Sequence, residues 1–382
     1  MGKHGVISAD GHIDFQWLPG DLFVSEAPKE FKDRVPRLVD SDEGPIWQVQ
    51  GRRIGAFPDV ITGERYRPGM GVQIERMAAT GLYSDGEKGL RRPTTPELRV
   101  QDQELDGIDG EVIYGILSLD RRMQPDNEAV QVCYQIYNTW VADFCKADPN
   151  RFKAVAPTLN DNPQNAANEL RRVAKLGLAG IEIKLGQIPQ PMYHKDWEVL
   201  WDAAEETGLI VHFHAGGANI RRPSTPEEEK EYNNVTQVLS RSVNKMANAE
   251  DLGAMILSGV LHRHPKMTLV MGEVDISWLP HFLWRMDSVV KERGEYDLGL
   301  PMPPSQYWYR QCRATFQKDP LGAEFIRHIG ADNVMWGNDY PHPDGVWPES
   351  RKLNDQQFAC LTPENRKKIT HDNVAKLYGF KA

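Results

Sequence analysis

The 382-residue sequence has no run near the ~18 consecutive apolar residues that a membrane-spanning helix needs. Its start, Met1-Gly2-Lys3-His4-Gly5, carries no apolar segment of the kind a secretion signal requires, so a cytoplasmic protein with no membrane partner is expected. Cysteine is scarce. Cys133, Cys145, Cys312 and Cys360 lie far apart with no Cys-x-x-Cys pair, which argues against a thiolate zinc site and a disulfide framework. Positive charge is also short: 45 Lys and Arg face 54 Asp and Glu, for a formal net charge of -9, and the basic residues are scattered among acids. Such a chain has no basic field for a phosphate backbone, so no nucleic-acid partner is expected. Neither Gly-x-Gly-x-x-Gly nor Gly-x-x-x-x-Gly-Lys follows an apolar run, which removes support for a nucleotide-binding open sheet. Any metal here would be held by imidazole and carboxylate.

What is present is a rhythm. Short apolar runs at 110–114, 152–156, 180–184, 209–214, 268–271, 312–316 and 333–336 alternate with helical stretches at 96–105, 127–146, 165–176, 197–206, 243–262, 278–291, 322–329 and 363–377. With the opening run at residues 6–9 this makes eight strands. Alternation of this kind implies parallel strands joined by right-handed crossovers, and the count favours an α/β fold of the closed (β/α)8, TIM-like kind, as a single domain over 1–382. Residues 15–100, rich in Pro, Gly and charge, form an insertion after the first strand and are expected to cap its end. Within it, Trp47 to Ile54 reads as a small hairpin.

The first strand ends in Asp10-Gly11-His12. In an extended chain residues i and i+2 point to one face, so Asp10 and His12 converge where the strand runs out. Taken alone, the pattern fits a polar turn as well as a metal site. In a barrel, however, the strands' C-terminal ends share one mouth, and the other candidates sit at that end. The fifth strand ends in His214, the sixth is followed by Glu273 and the eighth by Asp339, while Glu182 on the fourth alternates with Ile181 and Ile183. Five strands each supplying an imidazole or a carboxylate make a purely structural role for the whole set hard to keep.

These residues also carry a resemblance. Asp10-Gly11-His12, His214 in Val211-His212-Phe213-His214-Ala215, Gly272-Glu273 leading into Trp278-Leu279-Pro280-His281, Trp336-Gly337-Asn338-Asp339-Tyr340-Pro341-His342 and the ending Ile369 to Phe380 are similar to the amidohydrolase-related family. That family includes hydrolases and nonoxidative decarboxylases of the aminocarboxymuconate-semialdehyde type. The resemblance covers nearly all of the chain outside 15–100. It implies metal ligation by Asp10, His12, His214 and Asp339, with Asp339 also handling a proton of bound water, and it suggests a homodimer or larger oligomer. At the sixth strand relatives commonly use His, and Glu273 stands there instead.

Glu182 and Glu273 are therefore expected as further ligands. With Asp10 and Asp339 they would bring four carboxylates into one mouth, a repulsion that a second cation relieves, so two divalent ions are expected. Mixed oxygen and imidazole donors suit Zn, Fe or Mn. Asp339, His342 and Glu273 are the catalytic candidates, and Trp17, Arg221 and Tyr340 the substrate-binding ones. The expected activity is hydrolysis of an amide, ester or thioester of a small organic acid by metal-activated water. Nonoxidative decarboxylation of an aromatic or unsaturated acid is the alternative.

Overall fold

A computed structural model describes residues 5–60, 63–116, 118–183, 188–214, 220, 222–294 and 297–381. The first apolar run forms β1 (Ile7–Ile13), buried along its whole length. An antiparallel sheet follows, made of β2 (Arg37–Val39), β3 (Ile46–Val49) and β4 (Arg52–Ala56). Its β3–β4 hairpin turns through Gln50 and Gly51, left-handed at φ 49° and 77°, the backbone that a two-residue turn between twisted strands requires. The remaining runs form β5 (Gly110–Gly115), β6 (Phe152–Thr158), β7 (Gly180–Ile183), β8 (Ile210–His214), β9 (Leu269–Gly272), β10 (Cys312–Phe316) and β11 (Val334–Trp336).

These seven strands and β1 pair in parallel and in chain order, with helices between them, which is the expected (β/α)8 barrel. The ring closes just beyond β11. There the Asp339 N–H donates to the Asp10 carbonyl at 2.8 Å and the His12 N–H to the Tyr340 carbonyl at 2.6 Å. Only a glycine allows so close an approach: a Cβ on Gly337 would strike the Cβ and backbone of Asp10.

β1 holds one irregularity that simple alternation does not foresee. Its register against β5 slips by one residue between Ser8 and Gly11. Ile7 and Ala9 belong to the apolar cluster with Val112, Val155, Val270 and Met335, while Asp10 and His12 turn to the mouth. An extra residue in a strand does this, re-aiming the side chains beyond it. The helix expected over 243–262 is also broken. A helix not expected, Asn233–Val243, ends where it was to begin, and the turn Asn244–Met246, Ala249–Leu257 and Val260–Arg263 follow, with Gly259 left-handed at φ 77° between the last two.

The helix Pro96–Asp106 delivers Arg99 into the barrel wall, where its guanidinium is fully buried. It forks onto the Glu111 carboxylate of β5 at 2.6 and 2.7 Å and donates to the carbonyls of His12 at 2.8 Å and Pro93 at 2.9 Å. Gly11 leaves the room for this, since a Cβ there would lie 2.5 Å from the Glu111 carboxylate. Replacing Arg99 by Met leaves a buried carboxylate unpaired, so Arg99→Met should destabilise the fold by about 3–5 kcal/mol in urea unfolding. The double variant with Glu111→Leu should recover much of that loss.

Candidate active site

β1, β8 and the loop after β11 meet at the C-terminal end of the barrel and bring four of the expected ligands together. His12 Nε2 lies 3.3 Å from Asp10 Oδ1 and 3.2 Å from Asp339 Oδ1, and His214 Nε2 lies 3.4 Å from Asp10 Oδ1. All four side chains are buried. The other Asp10 oxygen is held from β10 and its extension, accepting from Thr315 Oγ1 and Gln317 Nε2, each at 3.0 Å. Asp339 is left-handed at φ 57°, an uncommon backbone for a residue with a side chain and one that clusters at functional sites. His342 spans two carboxylates, with Nδ1 2.9 Å from Asp339 Oδ1 and Nε2 2.8 Å from Asp14 Oδ2.

The electrostatics follow from crowding acids and imidazoles away from water. Burial alone would raise the Asp10 pKa, but the charge and hydrogen bond of His214 and the nearby His12 imidazole outweigh it and hold the carboxyl below the usual range. Asp339 is lowered in the same way, against burial, by His342 and His12. Burial disfavours a charged His214, yet Asp10, Glu273 and Glu182 push it up to about 9. Burial likewise opposes a charged His342, which Asp339 and Asp14 raise well above the ordinary value. The mouth thus draws positive charge inward.

A divalent ion fits these donors. Ligand atoms of Asp10, His12 and His214, and of His12, Asp339 and His342, lie within 4.8 Å of one another in each set. Neither ring nitrogen of the buried His12, the residue common to both sets, has a partner in hydrogen-bond geometry. Its carboxylate neighbours sit at ion-pair distance instead, as donors around a shared centre do. The donor chemistry, imidazole and carboxylate without thiolate, suits the harder first-row metals.

The other expected residues fall elsewhere. Glu273, left-handed at φ 58°, points one oxygen toward His214 Nδ1 at 3.7 Å but pairs through the other with Lys245, and it joins neither donor set. Burial and the charge of Asp339 raise its pKa despite Lys245 and His214. Glu182 is buried on β7, in register with His212 and within electrostatic reach of His214, outside both donor sets. His212 hydrogen-bonds to the Tyr114 hydroxyl at 2.8 Å, and burial together with the charge of His214 lowers its pKa to about 3. The Tyr340 hydroxyl donates to Asp102 at 2.6 Å. Trp17 is buried edge-on to Phe57, with ring centroids 5.7 Å apart. Arg221 lies outside the described residues. Asp14, Thr315, Gln317 and Lys245 were not foreseen. Asp14 merely continues an alternation already in view, Asp10-x-His12-x-Asp14, whereas Thr315, Gln317 and Lys245 lie in no motif that was singled out.

Known proteins sharpen the picture. A family model described as Amidohydrolase matches residues 120–380. The γ-resorcylate decarboxylase of Rhizobium radiobacter is 23% identical over 308 residues, spanning 74% of this chain and 88% of that enzyme. An amidohydrolase from Mycobacterium avium subsp. paratuberculosis K-10 shares the fold with a TM-score of 0.74 at 18% identity, over 99% of this chain and 100% of the other. The 5-carboxyvanillate decarboxylase of Novosphingobium aromaticivorans DSM 12444, solved with manganese and 3-methoxy-4-hydroxy-5-nitrobenzoic acid, gives 0.67 at 16% identity, over 98% and 97%. The specific activities named among these relatives are decarboxylations. They overturn the expectation of a hydrolase or thioesterase and favour the alternative.

Manganese binding can be followed by calorimetry and metal analysis. His12→Ala and Asp339→Ala should each weaken it by more than the ~10–100-fold that loss of a supporting partner costs, while Glu273→Gln should change it little. A Glu273→Gln loss as large as that of His12→Ala would make Glu273 a ligand.

Proposed function

The chain belongs to the amidohydrolase family, and from that membership and the donor sets in its mouth we propose that it is a metal-dependent nonoxidative decarboxylase of a small aromatic carboxylic acid. The observation that carries the proposal is the buried convergence of Asp10, His12, His214 and Asp339 in a chain related to a γ-resorcylate decarboxylase. These four residues would hold one divalent ion, with His342 alongside. When bound, the ion offsets the carboxylate charge and polarises the substrate oxygen that it meets. One ion accounts for the charge, because Lys245 already balances Glu273. Manganese is the first to test, since a solved neighbour carries it.

Nonoxidative decarboxylation exchanges a carboxylate for a proton at one ring carbon. The protein must therefore hold an acid beside that carbon and keep bulk water away. Asp339 is wholly buried, and its backbone is pinned to Asp10. His342, 2.9 Å from it, is placed to restore its proton, and Asp14 fixes the imidazole from the other side. In the step Asp339, ionised at rest, relays a proton from the charged His342 to the ring carbon. The electron pair of the breaking C–C bond returns to the ring as carbon dioxide leaves. We take the inserted residues 15–100 as a cap beside the mouth, since Asp14 runs directly into the turn Phe15–Trp17, whose Gln16 carbonyl accepts from Trp47 Nε1 at 2.9 Å.

The test supplies manganese-loaded protein with γ-resorcylate and 5-carboxyvanillate in deuterated water. Release of carbon dioxide with one deuterium at the vacated ring position is expected, and Asp339→Asn should lower kcat by at least about a hundredfold with the melting temperature retained. A metal-loaded protein that releases no carbon dioxide from a panel of aromatic acids would sink the proposal.

A further inference from the structure

The segment after β8 contributes a cation that neither donor set uses. Lys245 rides on the turn Asn244–Met246, and both flanks of that turn are tethered. On one side Arg241 pairs with Asp344 at 3.0 Å, and on the other the Asn248 amide donates to the His214 carbonyl at 3.4 Å. The Lys245 side chain is 17% exposed, packed on most of its surface but not sealed from solvent. Its ammonium pairs with Glu273, the one hydrogen-bond acceptor it has among the described residues. An ammonium carries three N–H donors, which leaves two beyond this bond.

The backbone of Glu273 is anchored. Its left-handed backbone is held by its own N–H, which donates to Thr315 Oγ1 at 2.7 Å, and Thr315 in turn donates to Asp10. Glu273 also lies 3.7 Å from His214 Nδ1, so the ammonium that it pairs with stands beside the donor sets. A tethered, largely buried cation with spare donors at that place is suited to an anionic oxygen arriving with a ligand.

Resting on the decarboxylase proposal above, we infer that Lys245 is a specificity-determining residue: its free N–H donors take a second carboxylate on the substrate ring, while the carboxylate to be lost sits at Asp339. Aromatic dicarboxylates are then preferred over monocarboxylates. The sequence signal is faint because Lys245 falls in an ordinary helical stretch with no motif around it.

The experiment measures binding without turnover. Manganese-supplemented wild type, Lys245→Met, Lys245→Gln and Lys245→Arg are titrated with benzene-1,3-dicarboxylate and with benzoate, followed by calorimetry. Loss of a charged hydrogen bond should weaken the dicarboxylate about tenfold to a hundredfold in the Met and Gln variants, with benzoate changed less than about twofold. Lys245→Arg should keep the preference, which separates the charge from mere packing, and Lys245→Gln covers the case in which Lys245→Met does not fold. Equal losses for both ligands, or none for the dicarboxylate, would overturn the inference. Turnover is scored separately. In Lys245→Met, KM for 5-carboxyvanillate should rise by a larger factor than kcat falls. A protein that discriminates through Lys245 yet releases no carbon dioxide would retain this inference and lose the decarboxylase proposal.

Discussion

The geometry of the mouth depends on one fully desolvated fork, the Arg99 guanidinium on the Glu111 carboxylate. A lone charge in that position would be prohibitive, so each partner is tolerable only because the other is there. The remaining Arg99 donors fasten the His12 carbonyl of β1 and the Pro93 carbonyl, and the guanidinium lies over the Tyr340 ring at 5.0 Å. One side chain from the helix Pro96–Asp106 thus touches β5, β1 and the loop that closes the ring. The backbone around His12 and the segment carrying Asp339 are set against the same rigid group. Gly11 is the sequence counterpart of this constraint, a gap left for two charges rather than a hinge.

The mouth itself is a balance of opposed charges. Asp10, Asp339 and Glu273 stand against His214, His342 and Lys245 in a space with little water. Each acid is lowered or raised according to which cation it faces. Asp10 and Asp339, against imidazoles, are held ionised, while burial and the nearby Asp339 charge raise Glu273 even with Lys245 in contact. Distribution of the cations, more than the count of carboxylates, decides how many divalent ions such a pocket can take.

Much of the fold was legible because strand burial writes itself as short apolar runs, and the span Asn127–Lys146 was matched to the residue. Asp10 and His12 were legible because period-two alternation holds locally. The slip in β1 was not, since an extra residue in a strand leaves no mark in hydrophobicity when Ala9 and Asp10 both end up buried. Asp14 was visible in principle, two positions past His12, but an acid followed by Phe15 also reads as the edge of a turn. Lys245 could not be found by pattern at all, because it reaches Glu273 from the turn Asn244–Met246, which the sequence presents as the start of one helix over 243–262. The reaction class was misread because Glu273 stands where relatives commonly use His, and that one departure was weighed against decarboxylation.

Closure of the ring is made by the same two segments that carry Asp10 and Asp339, through backbone bonds from Asp339 to Asp10 and from His12 to Tyr340. The seam of the barrel and its cluster of buried metal-ligand candidates are therefore one object. Local breathing at that junction, the kind of sub-global opening that leaves the rest of a protein intact, would separate the donors before any helix unpacked. The set of buried donors is in this sense a gauge of how tightly the cylinder is shut.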